Sequence, residues 1–224
     1  MSDRLLEIPD PVERANLSAF VTRVNRLDEA AVVRMRVRGS DTLTAWAPTG
    51  FDVLAVRVVT GVLKPSDVTV AGDVLMRGLE SHAAGVDLGF PMDSSWRGAL
   101  PPDQGFVHID DVPARALVSL AQRGVEIARE HGRTPSSLLD SKVLTVTGAG
   151  DEVTIAMRTV FALNAMGFIP VPGNAQSTDE IDPERIDPNE MVRVRASKTW
   201  LRLDARFGSI ATRRGSELSV MVRS

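Results

Sequence analysis

The amino-acid sequence predicts an α+β fold. A helix–antiparallel meander–helix unit comes first, and a helical segment followed by C-terminal antiparallel β-hairpins comes second. Apolar residues recur at helical spacing after Pro11 and after Pro113, whereas they alternate with polar residues through residues 31–59 and 192–222. Hydrophobic residues make up 43% of the 224 residues, which is enough to form a large core without disulfides or a structural metal.

The first helix is predicted from Pro11 to the neighbourhood of Leu27. Asp10 is a good N-cap, Pro11 suits the first helical position, and Glu13 complements the positive end of the helix dipole. The apolar face of this helix consists of Leu17, Phe20, Val21 and Val24. We expect that face to pack against a sheet.

Three alternating runs, at residues 31–38, 43–46 and 53–59, predict an antiparallel meander, because glycine, proline and aspartate separate them. In the first run one face carries three arginines, Arg34, Arg36 and Arg38. A second helix is predicted over residues 66–84, with Gly85 as its C-terminal cap.

The region after Gly85 shows no sustained periodicity, although Phe90, Trp96 and Phe106 give it apolar anchors. We therefore predict an ordered connecting loop over residues 85–112, and long loops of this kind are often functional. This divides the chain into an α+β unit at residues 1–84, the loop, and a second α+β unit at residues 113–224. One continuous core is the alternative.

The second unit is predicted to begin with an amphipathic helix that Asp110, Asp111 and Pro113 open and that ends at residues 131–132. Further predictions are a short helix after Pro135, a strand at residues 143–146 and a central apolar helix at residues 153–168. An acidic connector with four prolines follows at residues 170–190. The hairpin strands are predicted at residues 192–196, 200–203, 209–212 and 218–222.

Composition excludes several classes of function. The chain has no cysteine, so thiol catalysis, thiolate zinc sites, iron–sulfur clusters and disulfide scaffolds are ruled out. The formal charge of −3 gives no general reason to expect nucleic acid as a partner. No apolar run resembles a signal peptide or a membrane span, so we expect a cytoplasmic protein without a membrane partner. Arginine far exceeds lysine, a bias typical of GC-rich bacterial genomes.

Catalytic and cofactor motifs are weak. The segment Gly148-Ala-Gly150 resembles a phosphate loop, but Asp151 and Glu152 would repel a pyrophosphate and Val153 stands where a small residue is needed. Neither a nucleophilic serine motif nor a tight metal-ligand pair occurs. The sequence therefore predicts no catalytic residues, cofactor or metal and favours a non-enzymatic protein, and its motifs identify no family.

The C-terminal sheet carries the least ordinary pattern, because one face combines several arginines with a tryptophan. We predict that this face binds a partner through Arg193, Arg195, Trp200, Arg202, Arg213 and Arg214. Guanidinium groups and an indole can bind anionic groups and stack on planar ones. A protein partner or a second copy of the chain is the expected occupant. A structural alternative is that the arginines pair with the acidic connector.

Two other functions stay open at this stage. The first is a small-ligand-binding protein or enzyme with a pocket under the 85–112 loop, lined by His82, Trp96, Arg97 and His108. The second is a nucleic-acid-binding regulator that uses the same arginine face. The second is weakly supported, because the chain as a whole is not basic.

Overall fold

A computed structural model of the protein describes residues 4–81, 85–130, 134–171 and 181–214. Within these ranges every helix is too short or too polar to cross a lipid bilayer. The fold is α+β, as the sequence predicts.

The described residues of the first half form two α-helices and seven short strands. In chain order these are β1 (Leu5–Glu7), α1 (Pro11–Leu27), β2 (Val32–Arg38), β3 (Thr42–Pro48), β4 (Leu54–Thr60), β5 (Val62–Lys64), β6 (Asp67–Ala71), α2 (Gly72–Glu80) and β7 (Gly85–Asp87). The predicted cap is present, because the Asp10 Oδ1 accepts a hydrogen bond of 2.7 Å from the Val12 amide.

The second half repeats the mixture of strands and helices. Its elements are β8 (Val107–Pro113), α3 (Ala114–Glu130), α4 (Ser136–Leu139), β9 (Lys142–Gly148), β10 (Asp151–Ala156), α5 (Met157–Ala165), β11 (Met191–Ala196), β12 (Trp200–Ala205) and β13 (Gly208–Arg213). Residues 88–106, which we call the connector, join the two halves.

One antiparallel sheet of eight strands runs through both halves in the order β6-β2-β3-β4-β13-β12-β11-β8. The halves meet where β4 pairs with β13, which we call the junction. Its register has three Cα pairs, Leu54 with Ala211, Ala55 with Ile210, and Val56 with Ser209. Two small sheets, β5-β1-β7 and β10-β9, complete the fold.

Strand alternation places the core on one side of the eight-stranded sheet. Inward residues such as Met35, Leu43, Ala55, Val194 and Leu203 pack with the apolar faces of the helices in one continuous cluster. This cluster includes residues from both halves of the chain. The opposite side of the sheet, which faces away from the helices, is called the outer face below.

The predicted helices at residues 66–84 and 153–168 are wrong in their first parts. Residues 67–71 and 151–156 are strands that pass directly into α2 and α5. Both stretches are rich in β-branched residues, whose side chains favour a pleated surface. The helix ends are corrected too, since α2 ends at Glu80 and Gly85 begins β7 instead of capping it.

The predicted cap of the third helix is also wrong. Asp110 and Asp111 belong to β8, which pairs with β11, and α3 begins only at Ala114. Alternation decides this segment, because Ile109 and Val112 are buried while Asp110 is exposed. The meander, the short helix α4 and the hairpin strands up to residue 213 are confirmed, whereas residues 218–222 lie outside the described residues.

Candidate functional site

A second apolar cluster covers the junction on the outer face, and all three tryptophans of the chain belong to it or pack on it. Trp46 and Val56 come from the first half and Trp200 and Ala211 from the second, and all four are buried. The residues packed against them are Leu54, Trp96, Leu100 and Phe106. We call these eight residues the tryptophan cluster.

The connector supplies three of these residues and is fixed to the sheet at its start. The Met92 amide donates to the Thr69 carbonyl oxygen over 3.1 Å, and the Asp93 Oδ1 accepts from the Thr69 amide over 3.1 Å. These bonds pair the backbone amide and carbonyl of Thr69 at the open edge of β6, where they would otherwise lack a partner strand. Trp96 then lies beside the Arg34 guanidinium, 5.9 Å from ring centroid to carbon.

The predicted arginines of β11 and β12 lie side by side on the outer face around Asp204. The Arg202 Nε lies 2.8 Å from one carboxylate oxygen of Asp204, and the Arg195 Nε lies 3.4 Å from the other. Arg193 is 3.6 Å from Asp111 of the neighbouring strand and its side chain is 52% exposed. Arg202 also covers the Phe106 ring at 4.5 Å. Arg195 and Arg202 therefore have structural partners, whereas Arg193 stays largely open to solvent.

Trp200, Arg213 and Arg214 lie at the open end of the β12–β13 hairpin. Trp200 is only 6% exposed, and the exposed Arg213 guanidinium lies 5.4 Å above its ring. Arg214 turns away to the β9–β10 hairpin, where its two terminal nitrogens contact the Asp151 carboxylate at 2.6 and 3.0 Å. These hydrogen bonds lower the pKa of Asp151. Arg213 and Arg214 line a cavity of about 610 Å³ between this hairpin and α5.

The first half contributes a second group of outer-face arginines that the sequence places on one strand face but does not assign to a site. Asp67 accepts bidentate hydrogen bonds from Arg34 at 2.8 and 2.9 Å and further bonds from Arg36. Arg38 reaches Asp103 of the connector at 3.1 Å. The alternation of these arginines with apolar residues was the available signal. Nothing in the sequence shows that β2 shares one sheet with β11 and β12.

The acidic connector predicted at residues 170–190 is a different segment from the connector at 88–106. Its described residues contact arginines that lie outside the predicted face. The Glu190 Oε2 lies 2.9 Å from the Arg206 Nε, and Glu184 lies 3.5 Å from Arg115. Residues 172–180 lie outside the described residues.

Three of the four residues predicted for the alternative pocket lie in the described part of the chain. Trp96 lies over Arg34 of β2, whereas His108 lies on the edge strand β8, 3.2 Å from Asp111. Arg97 is exposed on the connector, and His82 lies outside the described residues. The described residues contain no group of histidine, aspartate and glutamate side chains that could hold a metal ion.

Two family models match the chain. A domain of unknown function (DUF8010) matches residues 1–98, and a domain of unknown function (DUF8185) matches residues 101–217, which is more than half of the chain. The chain belongs to the DUF8185 family. The boundary between the two matches falls within the connector of this DUF8185 protein. Its sequence matches none of the curated proteins with which it was compared.

Solved structures similar to the DUF8185 protein are bacterial sliding clamps. The DnaN sliding clamp (DNA polymerase III subunit beta) of Bartonella birtlesii, solved with griselimycin bound, is 14% identical with a TM-score of 0.54, over 95% of this chain and 65% of the clamp. The sliding clamp of Bacillus subtilis is 13% identical with a TM-score of 0.58, over 95% and 64%. The beta subunit of DNA polymerase from Streptococcus pyogenes is 12% identical with a TM-score of 0.56, over 95% of this chain and 65% of the subunit.

These similarities show a sliding-clamp-like fold. The chain spans slightly less than two thirds of the length of these clamps.

Proposed function

We propose that this protein is a non-enzymatic binding protein of the bacterial cytoplasm whose outer face receives an acidic segment of a protein partner. The observation that carries the proposal is the exposed Arg213 guanidinium, held over the ring of Trp200 at the edge of the tryptophan cluster. The clamp-like fold supports it, because it supplies a rigid sheet on which side chains keep their positions.

The charge of the outer face determines the partner's chemistry. Arginines outnumber carboxylates there, Arg34, Arg36, Arg38, Arg193, Arg195, Arg202 and Arg213 against Asp67, Asp93, Asp103, Asp111 and Asp204. Most of these charges are paired. Arg193 is exposed apart from its 3.6 Å contact with Asp111, and Arg213 is exposed above the Trp200 ring. Guanidinium groups bind carboxylates with two parallel hydrogen bonds, so these two arginines favour aspartate and glutamate side chains.

The test reverses both exposed charges. It removes the Arg193–Asp111 and Arg213–Trp200 contacts but leaves the pairs of Asp204 and Asp67 intact. Arg202 is unsuitable, because a glutamate there would face Asp204 at contact distance and expose the Phe106 ring. The double variant Arg193→Glu/Arg213→Glu changes exposed side chains only. Its matched control is Arg26→Glu together with Arg123→Glu, which applies the same charge change to exposed positions of α1 and α3.

Wild type, double variant and control are used to capture partners from a bacterial lysate, and bound proteins, nucleic acids and small molecules are identified. We expect a protein bound by wild type and control but lost from the folded double variant. Recovery of the same partners with all three proteins would refute the proposal. Nucleic acid lost only from the double variant would replace the protein partner with the nucleic-acid alternative.

A further inference from the structure

A cleft lies at the junction on the side opposite the tryptophan cluster, where the helices cover the sheet. Its volume is about 240 Å³. The first half supplies residues of α1 and β4, and the second half supplies the segment after α5 and the turn between β12 and β13. The lining residues are Asn16, Ala19, Phe20, Arg23, Arg57, Met166, Gly167, Phe168 and Phe207. We call it the junction cleft.

Two guanidinium groups share the junction cleft, and none of its lining residues is acidic. Arg57 donates through Nη1 to the Phe207 carbonyl oxygen, but its Nε is buried without a hydrogen-bond partner. In the described part of the chain, neither Arg23 nor Arg57 forms an ion pair with a carboxylate. Two guanidinium groups that lack a carboxylate partner would stabilise an anionic acceptor that reaches both of them.

Arg23 is exposed and Arg57 is half-buried, and their surroundings affect the pKa of both. Burial lowers the pKa of Arg23, and the neighbouring positive charge of Arg26 adds to this effect. Burial also lowers the pKa of Arg57, and the more distant Glu13 offsets only part of it. Both groups stay charged at neutral pH, because guanidinium does not deprotonate in proteins. An anion in the junction cleft would supply opposite charge that offsets the desolvation of these groups and the repulsion from Arg26.

The fold holds the Arg23 guanidinium in place through a glycine. Gly167 has a φ of +56°, and a Cβ at this position would overlap the Arg23 Nη1 and lie 2.6 Å from its Nη2. The guanidinium therefore rests directly against the backbone that ends α5. The positive φ at the end of α5 favours glycine, and the absent Cβ also leaves the space that the Arg23 guanidinium occupies at the mouth of the junction cleft.

Apolar side chains form the rest of the junction cleft. Phe168 stacks on Phe20 with ring centroids 6.4 Å apart and parallel planes, and Gly208 leaves the space that its ring occupies. Phe207 is 43% exposed although it belongs to this wall. A guanidinium pair beside exposed aromatic surface suits a ligand with an anionic head and a small apolar body.

We propose that the junction cleft binds a small phosphate monoester, with the phosphoryl group between Arg23 and Arg57 and the apolar body against Phe168 and Phe207. A phosphate monoester carries close to two negative charges at neutral pH, which matches two guanidinium groups better than a carboxylate does. The volume of 240 Å³ is below the usual range for drug-sized ligands, about 300–1,000 Å³, so the body is limited to about one ring.

Isothermal titration of the full chain with phenyl phosphate, inorganic phosphate and phenol tests this proposal. We expect phenyl phosphate to bind at least about tenfold more tightly than either fragment, since it alone uses both parts of the junction cleft. Arg23→Gln should weaken binding at least about tenfold. Arg26→Gln is the matched control, an exposed arginine one turn further along α1 that does not line the junction cleft. It should bind like wild type.

Gly167→Ala separates site geometry from net charge, because it displaces the Arg23 guanidinium without removing a charge. We expect it to weaken phenyl phosphate binding as Arg23→Gln does, in a protein shown to be folded by urea titration. Equal loss in Arg26→Gln, or no heat with phenyl phosphate at millimolar concentration, would overturn the proposal. Tighter binding of a DNA 12-mer that is lost in Arg23→Gln would also overturn it, since the phosphate would then come from nucleic acid.

Discussion

Replacement of Trp200 by alanine should strongly destabilise the protein. Trp200 is 6% exposed and packs with Trp46, Val56 and Ala211, with Arg213 above its ring. Loss of a buried tryptophan costs about 3–5 kcal/mol through lost burial and the cavity it leaves. The cation–π contact adds about 0.5–1 kcal/mol. Proteins of this size lose about 2–4 °C of melting temperature per kcal/mol, so the two contributions together predict a decrease of about 7–24 °C.

Differential scanning calorimetry and urea titration measure this effect. Trp96→Ala is the matched control, since Trp96 is only half-buried and its indole Nε1–H donates to the nearby Gly98 carbonyl oxygen over 3.1 Å. Its cost should be about half as large or less, because less surface returns to water. A Trp200→Ala variant within about 1 kcal/mol of wild type would refute this view of the junction, since a buried tryptophan cannot be so dispensable.

Two further predictions concern an ion pair and a close backbone contact. Hydrogen bonds from Arg34 and then Arg36 lower the pKa of Asp67, so its stabilisation is present above the unfolded carboxyl pKa and lost as pH falls through the folded value. Asp67→Asn should therefore cost about 1 kcal/mol at pH 7 and converge with wild type near pH 2 in urea titrations, whereas a constant difference would contradict the assignment. Gly148→Ala should cost about 1–3 kcal/mol in the same assay, because its Cβ would overlap the Ile109 carbonyl oxygen. Gly50→Ala, which has open space, should be nearly neutral, and equal effects of the two substitutions would exclude this contact as the cause.

The sequence predicts helices and strands well where capping or turn residues mark their ends. The helix α1 begins with an aspartate cap and a proline, and the meander is separated by turns, so both are found where expected. Prediction fails where a strand passes directly into a helix. Ala71 and Ala156 are the N-caps of α2 and α5, and neither makes a side-chain cap hydrogen bond, so no local signal marks the transition.

The candidate site is predictable only to the level of one strand. Alternation places Arg193 and Arg195 on one face, but Asp111 and Phe106, which contact this face, come from a distant part of the chain. The junction cleft depends on Arg23 resting against Gly167, a contact between different halves that no periodicity encodes. Local pattern fixes which way a side chain points, whereas tertiary structure decides what it meets.

Side chains rather than the strand ladder hold the two halves together. The β4–β13 register has three Cα pairs, and backbone hydrogen bonds contribute about 1 kcal/mol each on balance. The tryptophan cluster covers one side of those pairs, and a single buried tryptophan there is worth about 3–5 kcal/mol. On the other side, Phe20 of the first half stacks on Phe168 of the second. Because adjacent residues of β4, Val56 and Arg57, reach these opposite sides, both proposed binding surfaces depend on the same short pairing.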